Sequence, residues 1–410
     1  MDAPTLRSRD DVEMFVGGVC FKTGPPGAVG IESEWFVFDL HDPQRPVDPC
    51  RTQQALQGTT LPAASPITYE PGGQLELSSI CQPSVADACT TLRTDLRAAE
   101  AALLRAGLRL AAHGSDPSRT PELFRRDPRY ASMATYFNNR GPDGLQMMTA
   151  TASTQVCLNS GSPDQLATRW RRINTLVPLL SAMFANSPVQ SGRVTGWCSS
   201  RLATWSRMDP LRTSPVVGSE PVAAWTAYAL AAPVMAVRST SGPWRVDPGF
   251  TFADWLTHRV RPTTDDLAFH LSTLFPPVRP QPWLELRCLD ALPHRLWPVA
   301  VAVVTALLDD PNVADVAEDV CQPVRRLHRQ AALHGLRHPE LARAAGACIG
   351  LVDCAMDRLQ LDPLTRTQVA SFAERYVARG RSPAHDALDR LDGVSRGATH
   401  SDHQTQEVSA

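Results

Sequence analysis

The sequence predicts an α+β domain in which a sheet with one polar face is backed by helices. Three observations carry this. Segments that alternate apolar and polar residues recur at 29–39, 67–78, 148–159 and 283–290, each with one face fit to pack and another bearing acids or amides. One of them turns back on itself around Pro71-Gly72-Gly73, as an antiparallel hairpin does. From Arg295 to about Arg379 the pattern is helical almost without a break and carries no polar constellation, so this region is read as the layer that buttresses the sheet.

The chain of 410 residues is 43% hydrophobic, ample for a substantial core. Its net charge of -2 gives no electrostatic case for a nucleic-acid or anionic-membrane partner. The first thirty residues lack the pattern of a signal peptide, and no apolar run approaches the ~20 residues that span a bilayer. A cytoplasmic location is expected. Ten cysteines are scattered without a Cys-x-x-Cys pair, which argues against zinc-ribbon or thioredoxin chemistry.

In chain order, residues 1–28 form a lead-in with a short helix over Asp10 to Val16. The strand Val29 to Asp39 follows a glycine-proline turn, and its period of two puts Glu32, Glu34, Phe36 and Phe38 on one face. Residues 41–66, rich in proline, threonine and glutamine, read as a loop. The hairpin Ile67 to Ser78 adds Glu70 at the rim of its turn and places Gln74, Glu76 and Ser78 on a common face. Ser84 caps a helix that runs to about Ala106, with Gly107 as its stop. A strand over Leu108 to His113 leads into an arginine-rich loop through Arg129 and Tyr130.

Met148 to Asn159 alternates as a strand with Gln155 and Cys157 on its polar side. An amphipathic helix is expected over 162–186, then an exposed loop over Gly192 to Pro210 in which Arg201 stands between Trp197 and Trp205. Helices are expected at about 220–231, 251–260 and 263–274. In the strand Trp283 to Asp290, Leu284, Leu286 and Cys288 face a core while Trp283, Glu285 and Arg287 share the other side. The domain spans 29–392, its helical part from about 295, and residues 393–410 are expected to be a disordered tail.

The polar faces thus carry Glu32, Glu34, Glu70, Glu76, Glu285, Gln155 and Arg287. Carboxylates side by side repel, and the usual remedies are a raised pKa or a divalent cation between them. All-oxygen ligands select hard cations such as Mg²⁺ or Mn²⁺. With an arginine two residues from a glutamate, the set suits phosphoryl transfer, which needs charge neutralisation and positioning rather than a protein nucleophile. The sequence contains no Walker loop, dinucleotide fingerprint, zincin motif or nucleophile elbow. Solvated strand edges, and a plain ion pair between Glu285 and Arg287, remain open alternatives for these residues.

The succession Gly30-Ile31-Glu32-Ser33-Glu34, Thr68 to Ser78, Met147 to Val156, Thr273-Leu274-Phe275-Pro276 and Trp283 to Arg287 resembles the glutamate-cysteine ligases of the plant and actinobacterial type. It is most similar to the actinobacterial enzymes that make γ-glutamylcysteine for ergothioneine, and the likeness extends from about residue 28 to Ala384. The resemblance implies a glutamine synthetase-like fold, an antiparallel sheet curved into a half-barrel with helices outside, binding ATP and two or three Mg²⁺. It implies that ATP phosphorylates the γ-carboxylate of L-glutamate and that the amine of L-cysteine displaces the phosphate. Glu32, Glu34, Glu70, Glu76, Gln155 and Glu285 would be metal ligands, with Glu285 and Arg287 at the reacting phosphate. Arg129, Tyr130, Met148, Thr149, Arg201 and Trp205 would hold substrate, the two arginines as a clamp on the glutamate α-carboxylate. Cys157 and Asn159 depart from the Asn-Leu-Asp that relatives usually carry after Gln-Val, which bears on the choice of amine.

Overall fold

A computed structural model describes residues 3–24 and 26–391; the tail expected over 393–410 lies outside the described residues. Seven strands form one sheet, every neighbouring pair antiparallel. They are β1 (Val29–Asp39), β2 (Ile67–Tyr69), β3 (Leu75–Ser78), β4 (Leu108–Ala111), β5 (Ser153–Leu158), β6 (Val278–Pro280) and β7 (Leu284–Asp290). The order is β6-β7-β5-β1-β3-β2, with β4 pairing the far half of β1. Long β1 is the spine: residues 32–35 pair with β3, residues 36–39 with β4, and residues 29–33 with β5 on its other side.

Alternation divides this sheet as expected. Ile31, Trp35, Val37, Leu75, Leu77, Val156, Leu158, Leu284 and Leu286 are buried in the main core. Against that face pack Val85–Arg105, Leu166–Met183 and Trp297–Asp309. The last is buried at every residue from Trp297 to Leu308, which is why its apolar run shows no amphipathic stripe. The acids occupy the opposite face.

Four local expectations are corrected. Residues 41–66 contain a helix, Pro49–Leu56, started by Asp48 as N-cap and Pro49 in the first turn. Arg129 and Tyr130 stand not in a loop but in α1 (Pro128–Asn138), which begins the same way with Asp127 and Pro128. Met148 and Thr149 are helical too, in α2 (Asp143–Ala150), so the strand starts only at Ser153. Small residues and threonines alternate through this region whether or not it is extended, and Thr149 and Thr151 instead donate back to the carbonyls of Leu145 and Met147. Finally, Arg201 and Trp205 lie on α3 (Ser200–Met208), capped by Ser199, and Arg201 is buried rather than exposed.

Candidate active site

Strand register brings the acids together. Across the sheet run a row Arg279, Glu285, Cys157, Gly30, a row Gln155, Glu32, Ser78, and a row Glu34, Glu76, Thr68. Directly opposed residues on antiparallel strands have Cβ atoms about 5 Å apart, so like charges there repel. Glu70 joins from the turn between β2 and β3. That turn is held by Glu70 and Gln74, whose backbones bond each other, and by packing against α2. A Cβ on Gly72 would stand 2.0 Å from the Thr149 carbonyl oxygen, and Gly73 has φ +85°, so both glycines are required.

The result is a cavity of about 410 Å³ lined by Glu32, Glu34, Glu70, Glu76, Gln155, Glu285 and Arg287. Its opposite wall carries Arg129, Tyr130, Met148 and Trp205. Within it, carboxylate oxygens of Glu34, Glu70 and Glu76 lie within 4.8 Å of one another, and so do ligand atoms of Glu32, Cys157 and Glu285. Glu34 accepts from the Ser153 amide at 2.8 Å and hydroxyl at 2.9 Å and from the Gln155 amide at 3.1 Å. Glu285 is gripped through both oxygens by Arg279, at 2.6 and 3.1 Å, and by Arg287 Nη1 at 3.0 Å. Among the described residues no basic side chain forms an ion pair with Glu32, Glu34, Glu70 or Glu76.

The electrostatics follow from this division. Burial first, then Glu285 and Glu76, push the Glu32 carboxyl up to about 8. Burial, then Glu34 and Glu76, does the same to Glu70, again to about 8. Glu34 is raised by burial and by Glu76. Burial would raise Glu285 as well, but Arg279 and Arg287 outweigh it and hold the group down to about 2. The cluster Glu34, Glu70 and Glu76, at least partly buried, all oxygen and with no basic partner among the described residues, is what a hard divalent cation fits.

A match to the family described as Glutamate-cysteine ligase family 2 (GCS2) covers residues 28–408. The chain belongs to glutamate-cysteine ligase family 2. It is 39% identical over 401 residues to the glutamate-cysteine ligase EgtA of Mycolicibacterium smegmatis, covering 95% of this chain and 93% of that one. It is 30% identical over 424 residues to the chloroplastic glutamate-cysteine ligase of Brassica juncea, covering 94% of this chain and 81% of the other. The fold matches the glutamate-cysteine ligase of Francisella tularensis solved in complex with AMP, with a TM-score of 0.55 at 12% identity over 90% of this chain and 85% of that one. This likeness agrees with the fold expected from the sequence.

Within this member of glutamate-cysteine ligase family 2, the expected site residues are placed as follows. The five glutamates, Gln155, Arg287, Arg129, Tyr130, Met148 and Trp205 all line one cavity. Thr149 does not; it supports the Gly72 turn from behind. Nor does Arg201 line it. Arg201 lies beneath, donating through Nη2 to the Arg287 carbonyl at 2.9 Å, with Nη1 3.9 Å from Asp290 and its guanidinium carbon 5.2 Å from the centre of the Trp205 ring. Gln155 already uses its carbonyl on Arg287 at 2.6 Å. Three buried donors around Trp205 have no hydrogen-bond partner: Arg201 Nη1, Trp205 Nε1 and Arg287 Nε.

Sequence reasoning missed Arg279, Ser153 and Ser272, the last holding Arg129 through its hydroxyl at 2.7 Å and carbonyl at 2.9 Å. A signal for Arg279 existed. Arg279 and Glu285 flank Pro280-Gln281-Pro282, a proline-bounded turn that makes them cross-strand partners.

Proposed function

We propose that this chain joins the γ-carboxylate of L-glutamate to the amine of L-cysteine at the expense of ATP. A γ-carboxylate oxygen attacks the terminal phosphorus and ADP leaves; the amine nitrogen then attacks the acyl carbon of γ-glutamyl phosphate, a proton is lost and phosphate leaves. The observation that supports this best is the convergence of five glutamates and a phosphate-competent arginine on one cavity. Family membership and the EgtA relatives agree with it, and the product would serve thiol biosynthesis of the ergothioneine type in the cytoplasm.

Mg²⁺ would be held in at least two places, by Glu34, Glu70 and Glu76 at one end and by Glu32 and Glu285 at the other. Bound there, it supplies charge neutralisation for the phosphate oxygens. Arg287, its Nη1 fixed by Gln155 and Glu285 and its Nε free, would meet the transferring phosphoryl group. Glutamate would lie on the Arg129, Tyr130, Met148 and Trp205 wall, its α-carboxylate drawing on Arg129, with Arg201 supporting Trp205 and Arg287 from beneath.

ADP release from purified chain with Mg²⁺, ATP, glutamate and a panel of amines tests the reading. Turnover that depends on cysteine is expected. Turnover only with another amine would make it a different glutamate ligase, and no turnover with any amine would remove the catalytic proposal.

A further inference from the structure

We propose that the hollow beyond Glu32 and Trp283 receives the nucleoside end of ATP, with the Trp283 indole as a platform for the base and Lys22 as a cation on the phosphate chain. This rests on the reading that the acid cavity transfers a phosphoryl group. The hollow, of about 410 Å³, shares Glu32 and Trp283 with that cavity and is walled by Lys22, Gly30, Ser79 and Asn159.

In-line displacement fixes the side that the nucleotide takes. Attacking and leaving oxygens stand on opposite sides of the phosphorus, so ADP must leave away from glutamate. Position along β1 gives the direction. Gly30, Glu32 and Glu34 follow one another on one face at about 3.3 Å per residue, with the hollow at the Gly30 end and the Glu70 turn at the Glu34 end. The wall assigned to glutamate belongs to the Glu70 end, since α2, which carries Met148, packs on that turn. A third hollow of about 420 Å³ also touches Arg287, but it is lined by Trp205 and Phe275, on the glutamate side. The leaving group does not lie there.

The lining suits a nucleotide. Lys22 is the one lysine in a chain with 40 basic residues, and among the described residues it has no ion pair or hydrogen bond. Its compact ammonium suits a phosphate oxygen as a point charge. The neighbouring backbone is held, with the Phe21 ring edge-on to Trp170 at 5.7 Å between centres and the Gly24 amide donating to the Gly161 carbonyl at 2.9 Å. Trp283, 39% exposed, is the one aromatic among the exposed large apolar side chains of the described residues. An open indole at the mouth of a hollow gives a base a face on which to stack.

Amine acetylation of the full chain, mapped by peptide mass, reads this one lysine. ADP with Mg²⁺ is expected to slow labelling of Lys22 and glutamate alone to leave it unchanged. By calorimetry, Lys22→Ala and Trp283→Ala should each weaken ADP binding on the order of tenfold, and in kinetics each should raise the ATP KM with the glutamate KM unaltered. Both side chains are exposed, so neither substitution opens the core. ADP that binds while Lys22 labelling and both variants' affinities stay unchanged would overturn the inference, and cysteine-dependent turnover in the same variants would leave the proposed function intact. A raised glutamate KM with unchanged ADP affinity would assign the hollow to the amino acid and also overturn it. Failure of the unmodified chain to bind ADP or ATP would remove both readings.

Discussion

Glu34 and Glu76 stand directly opposite each other on adjacent antiparallel strands, on the face away from the core, and among the described residues no basic side chain is paired to either. Such an arrangement is unfavourable by itself. It persists because the apolar faces of the same strands are locked in register by Trp35, Leu75 and Leu77 beneath.

The pH dependence of folding follows from two members of this cavity. Glu32 and Glu70, held up to about 8 against an ordinary 4.5, bind protons more tightly folded than unfolded. The stability they contribute is full below the unfolded value and is lost as pH rises through about 8. Without divalent cations the melting temperature should therefore fall across that interval, and Mg²⁺ should raise it most at the alkaline end. Thermal melts at several pH values with and without Mg²⁺ check this; a flat, Mg²⁺-insensitive profile would contradict it.

Arg287→Lys keeps the charge but replaces a planar fork, anchored to both Gln155 and Glu285, with a point charge. Turnover should drop on the order of 10²-fold while the glutamate KM changes little, because the group acts on charge that develops during transfer. Steady-state kinetics decide it. An unchanged kcat would take Arg287 out of the site.

Gly72→Ala forces a Cβ into the Thr149 carbonyl, backbone against backbone. The turn must shift and carry Glu70 with it, at a stability cost of about 1–3 kcal/mol. Weaker Mg²⁺ binding by calorimetry should accompany the lower melting temperature. Undiminished Mg²⁺ affinity would show that Glu70 does not need this turn.

Arg201→Ala leaves the buried Asp290 carboxylate without its nearby cation, although Asn186, Ser187 and Ser199 still donate to it. Destabilisation on the order of 3 kcal/mol is expected, together with a raised glutamate KM if the spare Nη1 donor reaches substrate. Denaturant melts and kinetics separate the two effects, and a glutamate KM unaltered in the folded variant would exclude Arg201 from the clamp.

Much of the site was legible because strands and turns write themselves locally. The two-residue period put Glu32 with Glu34 and Glu285 with Arg287, and Pro71-Gly72-Gly73 announced its hairpin. The helices carrying Arg129, Met148 and Arg201 were read as loop or strand, although Asp127-Pro128 and Ser199 carried cap signals. Their short lengths and mixed alanine, threonine and methionine content leave periodicity weak, so capping and packing decided their form.

What the sequence determined by itself is which side chains are polar on otherwise packed strands, hence that a carboxylate-lined surface exists, because the pleat and the turn depend only on near neighbours in the chain. Tertiary structure alone decided that Glu70 and Glu76 share one end with Glu34, that Cys157 shares the other with Glu32 and Glu285, and that Arg279 rather than solvent faces Glu285. Those pairings depend on strand register and on a bulge in β7 between Leu286 and Leu289, both set by how distant apolar faces interlock across the core.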